Sequence, residues 1–593
     1  MSKITFALDF ETYYDKEVSI TTLGPRGYFS HPEFDAYLVT VVGDNGFRYA
    51  GDPRKLDWNV LKDGIVICHN AQFDIALYHF GVEKGWYPYV PFESHCSADM
   101  CAFLGLPRSL KKASAAVLKL TVDKETRSAM RGRRWENMDE AFRAQVVEYA
   151  VTDAELCLKL WQEKSEGWPE HERRISLLNR EISEGGIPID IPLLENSMVK
   201  IRQVLFDTES KIPWMGENTP LSRKAFNAQC RKQGITPPKS LAQDNPDADA
   251  WYKEYLEQCP WAKAVSDYRR INTFASKMEA FVLGTMEDNR YYGGFLYFGA
   301  NPTGRFSGGG ASLNLQNLPR EEMFGVNFRH LLRPKEGHKL IIADLSQIEV
   351  RTLAWLSKDK RSMDLIRESS DIYHGMGVLL GMHDPANGEL REYDKKIGGG
   401  LRNRIKATVL GCGYQMSAAR FAVENNMSIE EATAAVNTYR TRMKSVVALW
   451  NTTGQDMNMA QSLGVPYQVK LPSGRVMNYG VLRKMRAANG RFNLMAKLVR
   501  MGGMRDTKVY SGHVVENMSQ ALARDIFSDM MLRLNQAGLR IIMHVHDEVI
   551  IEVPEAEARE SLAKTLSIMS EPPVWIPDIP VAAEGEIADF YSK

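Results

Sequence analysis

Two segments far apart in the chain each place an acidic side chain at the end of a strongly apolar β-strand pattern. The strand KLIIADL (339–345) carries Asp344, and RIIMHVHDEVIIEVP (540–554) is typical of a hairpin with Asp547 and Glu548 at its polar tip. A buried strand end with an aspartate, facing a hairpin tip with another, can hold two divalent metal ions. Taken alone, the HDE tip is equally consistent with an exposed turn.

A second set of acids lies near the N-terminus. In KITFALDFET, Asp9 and Glu11 are two residues apart, so a strand points both carboxylates to one face. GIVICHNAQFD carries Asp74 at a helix start, and EYAVTDAE places Tyr149 and Asp153 on one helical face. An edge strand facing water would explain the first pair alone. Together, four acids and a tyrosine predict a two-metal site, and oxygen-only ligands favour Mg²⁺ or Mn²⁺ over zinc.

Between the strand and the hairpin, the segment RNRIKATVLGCGYQMS places four candidate functional side chains at intervals of four residues. Arg402, Lys406, Leu410 and Tyr414 stay within a stripe of about 120° on a helix. Two cations followed by an apolar residue and an aromatic ring suit a triphosphate and then a base. As an isolated observation, the pattern is also that of a charged amphipathic helix.

Composition excludes several classes of protein. No run approaches the roughly 18 apolar residues of a membrane span, and the N-terminus has no signal-like apolar core, which predicts a cytoplasmic protein. Lys+Arg and Asp+Glu are both 74, so the net charge gives no argument for a polyanion partner, although 108–134 and 395–406 are locally basic. The seven cysteines form no CxxC pair, which predicts reduced, mostly buried thiols and no zinc site.

The pattern of elements predicts a small α/β region followed by a large mixed region. Alternating strand and helix patterns run to about Lys164, where SEGWPEH breaks them. The helix-rich middle contains the polar stretch 233–250, which is typical of a loop or of a joint between subdomains. The Gly-rich stretch 301–319 precedes the strand 339–345, and Gly398 to Gly400 open a helix.

The motifs resemble two known families. LDFET, HNAQFD and YAVTD are similar to the three motifs of the proofreading 3′–5′ exonucleases. TGRFS…LNLQNLP, DLSQIEVR, R(x3)K(x3)L(x3)YQMS and VHDE resemble the primer-binding motif and motifs A, B and C of family A (polymerase I-like) DNA polymerases. The resemblance implies a multidomain α/β and α+β fold, in which an RNase H-like exonuclease domain (1–168) precedes a right-hand polymerase domain (169–593). The implied thumb is at about 195–285, the palm at about 286–359 and 506–593, and the fingers at about 360–505.

The resemblance also implies roles for individual residues. In the exonuclease, Asp9, Glu11, Asp74 and Asp153 would hold metals and Tyr149 would orient the attacking water. In the polymerase, Asp344 and Asp547, next to Glu548, would hold two Mg²⁺, and Mn²⁺ could substitute. The dNTP contacts implied are Arg402, Lys406 (a candidate proton donor), Leu410, Tyr414, Glu349 (a steric gate against ribose) and His374; the implied DNA contacts are Arg305, Gln316, Asn317, Gln520 and His546.

Several positions depart from the family pattern. Leu410 stands where an aromatic residue is usual, Gln415 replaces a glycine, and Glu516 stands where an asparagine is common. The family's histidine position holds Tyr373, with His374 one residue later, and either could contact the triphosphate. Leucine offers no hydroxyl to mimic a missing 3′-OH, so we expect discrimination against dideoxynucleotides.

The expected partners are primer–template DNA and dNTPs, with replisome or processivity proteins a further possibility, and the expected state is a monomer away from membranes. Because the exonuclease motif begins at residue 9, there is no room before it for a 5′-nuclease domain, which favours a phage replicative enzyme. Two other functions stay open: a single-subunit RNA polymerase, and a nuclease whose polymerase half only binds DNA. Glu349 argues against the first, and the acids of motifs A and C argue against the second.

Overall fold

The computed structural model describes residues 3–120, 125–241, 245–309, 313–369, 371–487, 490–500 and 503–592. Parts of the basic stretch 108–134 and the Gly-rich stretch 301–319 therefore lie outside the described residues. The multidomain α/β and α+β class predicted from the sequence is confirmed. Among the described residues, no helix is both long and apolar enough to cross a membrane. All seven cysteines are buried and unbridged, as expected.

The N-terminal region is built on a five-stranded sheet in the order β3-β2-β1-β4-β5. β2 is antiparallel to the central strand β1, whereas β4 and β5 run parallel to it. β1 has apolar residues on both faces, so helices cover both sides of the sheet. Its elements are β1 (Thr5–Thr12), α1 (Ile20–Ser30), β2 (Ala36–Gly43), β3 (Arg48–Gly51), β4 (Ile65–Cys68), α2 (Ala71–Glu83), β5 (Glu93–Cys96), α3 (Ser97–Phe103), α4 (Leu110–Val117), α5 (Glu125–Met130) and α6 (Glu140–Lys164).

A helical segment follows, with one two-residue strand between its first two helices and three strands after its last helix. The polar stretch 233–250 was predicted to be a loop or a joint between subdomains. It is not a loop throughout, because a helix begins at Pro246. The side chain of Asn245 accepts from the backbone N–H of Asp247 at 3.0 Å, so Asn-Pro here is a helix start. The elements are α7 (Glu170–Gly185), β6 (Ile187–Pro188), α8 (Ile191–Glu209), α9 (Arg223–Lys232), α10 (Pro246–Tyr255), α11 (Pro260–Leu283), β7 (Arg290–Tyr291), β8 (Gly294–Ala300) and β9 (Arg305–Gly309).

The C-terminal sheet has the order β16-β17-β10-β18, and all its pairs are antiparallel. The predicted strand and hairpin are both confirmed, and the sheet brings them side by side. A helical block lies between them in sequence. The elements are β10 (His338–Leu345), α12 (Ile348–Leu356), α13 (Lys360–Glu368), α14 (Ile372–Leu380), α15 (Leu390–Lys396), α16 (Leu401–Cys412), α17 (Ala418–Glu424), α18 (Ile429–Arg442), α19 (Lys444–Leu463), α20 (Ser511–Gln536), β16 (Ile541–Val545), β17 (Glu548–Pro554), α21 (Ala558–Ser570) and β18 (Ala583–Ala588).

Between α19 and α20 the chain forms two small sheets that the sequence patterns did not predict. β11 (Pro466–Lys470) pairs with β12 (Val476–Val481). β13 (Arg483–Arg486), β14 (Phe492–Arg500) and β15 (Gly503–Val509) form an antiparallel three-stranded sheet. One face of this sheet packs on the cluster that contains Ala496, Leu498 and Val509, and the other faces solvent.

Buried charges tie α7 to the C-terminal region. Arg524 of α20 binds Glu172 of α7 through two contacts, of 2.5 and 2.9 Å. Tyr297 of β8 donates to the same carboxylate at 2.6 Å, so the charge of Glu172 is fully hydrogen-bonded, whereas the Nε of Arg524 has no hydrogen-bond partner among the described residues. Because an unpaired buried charge is strongly unfavourable, the pair fixes how α7 sits against α20.

Candidate active sites

Three elements bring the N-terminal acids together. β1 is the central strand and presents Asp9 and Glu11 on one face, and α6, which carries Tyr149 and Asp153, packs across β1. Asp74, in the first turn of α2, is buried and accepts from the backbone N–H of Phe10 at 3.1 Å. The structure thus brings the four predicted acids near one another.

The negative charges of these four acids repel one another. Burial raises the pKa of Asp9 well above its usual value, and repulsion from Glu11, then from Asp74, raises it further. Burial likewise raises the pKa of Glu11, against the opposing effect of Arg127. Burial also raises the pKa of Asp74, which the hydrogen bond from Phe10 partly offsets. Such mutual repulsion is what a cation between carboxylates relieves.

The donor set fits a hard divalent cation, because every candidate ligand is a carboxylate oxygen. The four acids are near enough for their charges to interact. Among the described residues, no three His, Cys, Asp or Glu side chains form a group that already meets the geometry of a metal site.

The second site lies where β10 meets the hairpin of β16 and β17. Asp344 is directly opposite Glu548 across the two antiparallel strands, and the N–H of Leu345 donates to the carbonyl of Asp547 at 3.1 Å. His546 at the hairpin tip has a left-handed backbone, with φ 57°, so the chain reverses sharply just before Asp547. The sheet thus places both predicted aspartates at one edge.

Two adjoining cavities form a cleft beside this edge. The first, of about 420 Å³, is lined by Arg305, Gln316, Arg320, Glu349, Tyr373, Leu410, Gln520, His546 and Asp547, among others. The second, of about 470 Å³, is lined by residues that include Gln316, Asn317, Arg320, Asp344, His546, Asp547, Glu548 and Tyr591. Four residues are common to both cavities, so the cleft is continuous. Ten residues predicted from the sequence lie on it.

The cleft is acidic at its centre and basic at its rim. Burial raises the pKa of Asp547 to about 6, and the charges of Glu349 and Glu548 add to this. Burial also raises the pKa of Glu349, opposed by Arg305. Glu548 accepts from the Tyr591 hydroxyl at 2.7 Å, and that hydroxyl accepts from Arg329 at 3.2 Å. Glu548 is therefore held by hydrogen bonds.

Replacement of Asp547 by asparagine is expected to stabilise the metal-free protein at high pH. The folded-state pKa of about 6 exceeds the unfolded value of about 4, so the destabilisation by ionised Asp547 grows between these two pH values and is complete above pH 6. We expect D547N to gain about 1–2 kcal/mol at pH 8, and this gain should shrink as the pH falls towards 5. Unfolding by urea in a chelating buffer at both pH values measures it. D44N, at an exposed aspartate, is the control, and an equal gain at both pH values would contradict the argument.

The helix α16 carries part of the predicted four-residue stripe. Leu410 lines the cleft, whereas Arg402 binds Asp371 through contacts of 2.8 and 3.1 Å, and Lys406 is exposed. The predicted helix face does not reach Tyr414, because α16 ends at Cys412. Tyr414 instead follows in a turn, and its hydroxyl donates to the Ser519 hydroxyl at 3.1 Å.

The structure distinguishes the two neighbouring residues left open by the sequence. Tyr373 lines the cleft, and the Arg402 guanidinium lies 5.1 Å from its ring centre. His374 points elsewhere: its Nδ1 accepts from the N–H of Leu390 at 3.0 Å, and it lines a separate cavity. A one-residue shift on α14 turns the side chain by about 100°, so only one of the two can face the cleft.

Two departures from the family pattern have visible structural consequences. Gln415 has a left-handed backbone, with φ 65°, a conformation that glycine adopts more easily. Its side-chain oxygen accepts from the N–H of Gly512 at 3.0 Å, which satisfies a free donor at the start of α20. The side chain of Gln520 donates to Glu516 at 3.3 Å. Gln520, one of the predicted DNA contacts, is therefore already hydrogen-bonded to an acidic side chain.

Three functional candidates were missed by sequence reasoning. Arg320 lines both cavities, and the only signal for it was its position directly after NLQNLP. Tyr591 orients Glu548 from the far end of the chain, without any local pattern. Arg127 opposes the charges of the N-terminal acids, and the sequence marked it only as part of a basic stretch.

Comparison with known proteins gives consistent results. The family model described as DNA polymerase family A matches residues 228–593. The chain is 25% identical to the DNA polymerase of Bacillus phage SP02, over 99% of this chain and 100% of the relative. It is 26% identical to the thermostable DNA polymerase I of Thermus filiformis, over 70% of this chain but only 47% of that protein. The POL domain of Pol1 from M. smegmatis, solved with DNA primer-template and dNTP, has a similar fold, with TM-score 0.69, 19% identity and coverage of 100% of this chain and 96% of that one.

Proposed function

Because this chain belongs to DNA polymerase family A, whose members carry out DNA-templated DNA synthesis, we propose that it extends a primer with dNTPs and also removes nucleotides from the 3′ end. Residues 169–593 would carry out synthesis and residues 1–168 proofreading. The observation that carries the proposal is the edge of the C-terminal sheet, where Asp344 and Asp547 meet beside a cleft wide enough for a nucleotide.

In synthesis, Asp344 and Asp547 would hold two Mg²⁺ ions, for which Mn²⁺ could substitute. Bound ions would lower the pKa of the primer 3′-hydroxyl and neutralise charge on the triphosphate. Members of the family depend on divalent metals in general. The oxygen-only donors and the raised pKa of Asp547 support this assignment. Glu548, hydrogen-bonded to Tyr591, would keep its place beside them.

The incoming dNTP would bind between α16 and the hairpin. Arg402 and Lys406 would contact its phosphates. Arg402, which is hydrogen-bonded to Asp371, would then contact both that carboxylate and the phosphates. Lys406, which is exposed, could donate a proton to pyrophosphate. Tyr373 rather than His374 is the residue of α14 that borders this space.

The remaining contacts would select sugar and position DNA. Glu349 lines the cleft and would crowd a ribose 2′-hydroxyl, and Tyr414 would close on the nascent pair. The primer–template contacts proposed are Arg305, Gln316, Asn317, Gln520 and His546. Contacts to backbone and shape suit an enzyme that accepts every sequence.

In proofreading, Asp9, Glu11, Asp74 and Asp153 would hold metal ions of the same kind. Tyr149, on the same helix as Asp153, would orient the attacking water. The shared location of these acids and their mutual repulsion support the assignment. The resemblance to a phage polymerase along the whole chain supports a role in phage genome replication, in the host cytoplasm, by a monomer that could work with replisome proteins.

The test is a 5′-labelled, recessed primer on a template with Mg²⁺, with and without the four dNTPs. Extension with dNTPs and shortening without them are expected. Shortening in both reactions would contradict the polymerase assignment and leave a nuclease with a DNA-binding module. Extension with rNTPs instead of dNTPs would indicate a single-subunit RNA polymerase.

Leu410 is expected to make the enzyme discriminate against dideoxynucleotides. Its side chain lines the cleft without a hydroxyl, so nothing replaces the hydrogen bonding of the missing 3′-OH. L410Y should reduce the discrimination about tenfold or more, since one hydrogen bond is worth about 1–3 kcal/mol when buried. L410F is the matched control, because it adds the ring without the hydroxyl. Equal use of dideoxy- and deoxynucleotides by the unmodified protein would refute this.

A further inference from the structure

A further cavity, of about 460 Å³, lies between the N-terminal and C-terminal regions. Arg108 and Lys112 line it from the start of α4, and Gly299 to Asn301 line it at the end of β8. Val499 and Gly503, at the tip of the β14–β15 hairpin, close it on the third side. Three elements from distant parts of the sequence thus enclose one space.

Residues that line this cavity are linked to both catalytic regions, by a hydrogen bond on one side and along the chain on the other. On one side, the carbonyl of Arg108 lies 2.6 Å from the Nε2 of His69, which belongs to the same HNAQFD segment as Asp74. On the other side, Asn301 leads into TGRFS, whose Arg305 lines the polymerase cleft. A strand that passes from one site to the other would have a path through this space.

The three-stranded sheet beside the cavity is strongly basic. Although the whole chain has no net charge, residues 483–509 contain a single acid, Asp506, and eight basic residues: Arg483, Lys484, Arg486, Arg491, Lys497, Arg500, Arg505 and Lys508. Asp506 forms an ion pair with Arg483. The sheet therefore carries excess positive charge that no acid of its own neutralises, which favours a polyanion.

The register shows which of these cations face the cavity side. Side chains alternate along a strand, so Lys497 lies on the same face as Val499, which lines the cavity. Lys508, paired with Met495, lies on that face too, and both lysines are exposed. Met504, opposite Val499, is 48% exposed and adds an apolar surface between the charges. Cations on one exposed face suit the phosphate backbone of a nucleic-acid strand.

We propose that Lys112 and the exposed face of the β13–β15 sheet, which carries Lys497 and Lys508, bind the phosphates of the unpaired 3′ primer strand between the polymerase cleft and the N-terminal acids. This inference rests on the proposed proofreading function and deepens it by assigning a path.

The occupant is a single DNA strand, because the cavity is too small for a duplex and its lining residues are linked to both sites. Of the described residues that line it, the charged ones are Arg108, which pairs with Asp99, and Lys112. On the sheet, Asp506 lies opposite Lys497 and pairs with Arg483, so a net positive charge remains, as phosphates require.

The test compares the double variant Lys112→Gln/Lys497→Gln with a control, Lys55→Gln/Lys62→Gln, at two exposed lysines of the N-terminal region. Excision from a primer with mismatched 3′ nucleotides is measured against extension of a matched primer, over a range of salt concentrations. A trinucleotide, short enough to reach the N-terminal acids directly, is the reference substrate.

For the double variant we expect the ratio of excision to extension to fall about threefold to tenfold, since two contacts to phosphate are lost at a hydrated surface. The salt dependence of single-strand binding should fall by about 1.4 in log–log slope. The control variant should match the unmodified protein. If the ratio of excision to extension and the salt slope were both unchanged in the double variant, the proposal would be overturned. The basic face of the sheet would then be assigned to an acidic protein surface instead of DNA. An equal loss on the trinucleotide would also overturn it, because the lysines would then act at the N-terminal acids themselves.

Failure of the proposed proofreading function gives a different result. In that case the unmodified protein would shorten neither the mismatched primer nor the trinucleotide. Normal shortening by the unmodified protein, together with an unaffected double variant, would refute only the path.

Discussion

Replacement of Asp344 by asparagine is expected to reduce primer extension by about 1,000-fold, and D547N should have a similar effect. Both carboxylates lie at one edge of the C-terminal sheet, where β10 meets the hairpin tip. Asparagine keeps the size of the side chain but removes the charge that a divalent ion requires. Loss of charge stabilisation in the transition state by about 4 kcal/mol corresponds to this factor.

The measurement is single-turnover incorporation of one dNTP on a saturating primer–template. D364N, at an exposed aspartate of α13, is the control and should retain the rate of the unmodified protein. DNA binding by the two active-site variants should persist, because the rim arginines remain. Shortening of the primer without dNTPs should persist as well. Full extension by D344N would show that the sheet edge is not the catalytic centre.

Local patterns in the sequence were sufficient to predict the acids and the elements that carry them. Asp9 and Glu11 alternate with apolar residues in β1, and Asp547 interrupts two apolar runs. Both signals arise because strand side chains alternate between a buried and an accessible face. The pairing of Asp344 with the hairpin followed because two apolar strands each need a partner in a sheet.

Contacts between distant segments could not be predicted in this way. The end of α16 at Cys412, just before Gly413, places Tyr414 against Ser519 of α20, which no helix periodicity reveals. The ion pair of Arg402 with Asp371 depends on how α14 packs against α16. Such contacts arise from tertiary packing, which overrides local preference.

The β13–β15 sheet is a further feature that local sequence patterns did not predict, although it is formed by a single segment. Strands β13 and β14 and the start of β15 lie inside the range predicted as fingers, where the resemblance led to no expectation of a sheet. Ala496 and Leu498 alternate with exposed residues on β14, so a strand pattern is present in hindsight. Its basic residues had no functional interpretation until the structure placed the tip of the hairpin beside Lys112.

The double variant D9A/E11A is expected to lose 3′-end shortening by about 1,000-fold while primer extension is retained. The two carboxylates share one face of β1 with Asp74 and Asp153 nearby, so their removal takes away half of the acids proposed to bind metal ions. The fold should remain intact, because repulsion between these buried acids raises the pKa of Asp9 and opposes folding when they are ionised.

Shortening of a labelled, mismatched primer without dNTPs measures the loss, and extension of a matched primer by the same preparation reports the fold. E33A/D44A, at two exposed acids of the same region, is the control and should shorten the primer at the normal rate. With dNTPs present, the D9A/E11A enzyme should also retain mismatched ends that the unmodified protein removes. Undiminished shortening by D9A/E11A would mean that the acids of β1 are not the nuclease centre, and it would also remove the destination of the path proposed for the primer strand.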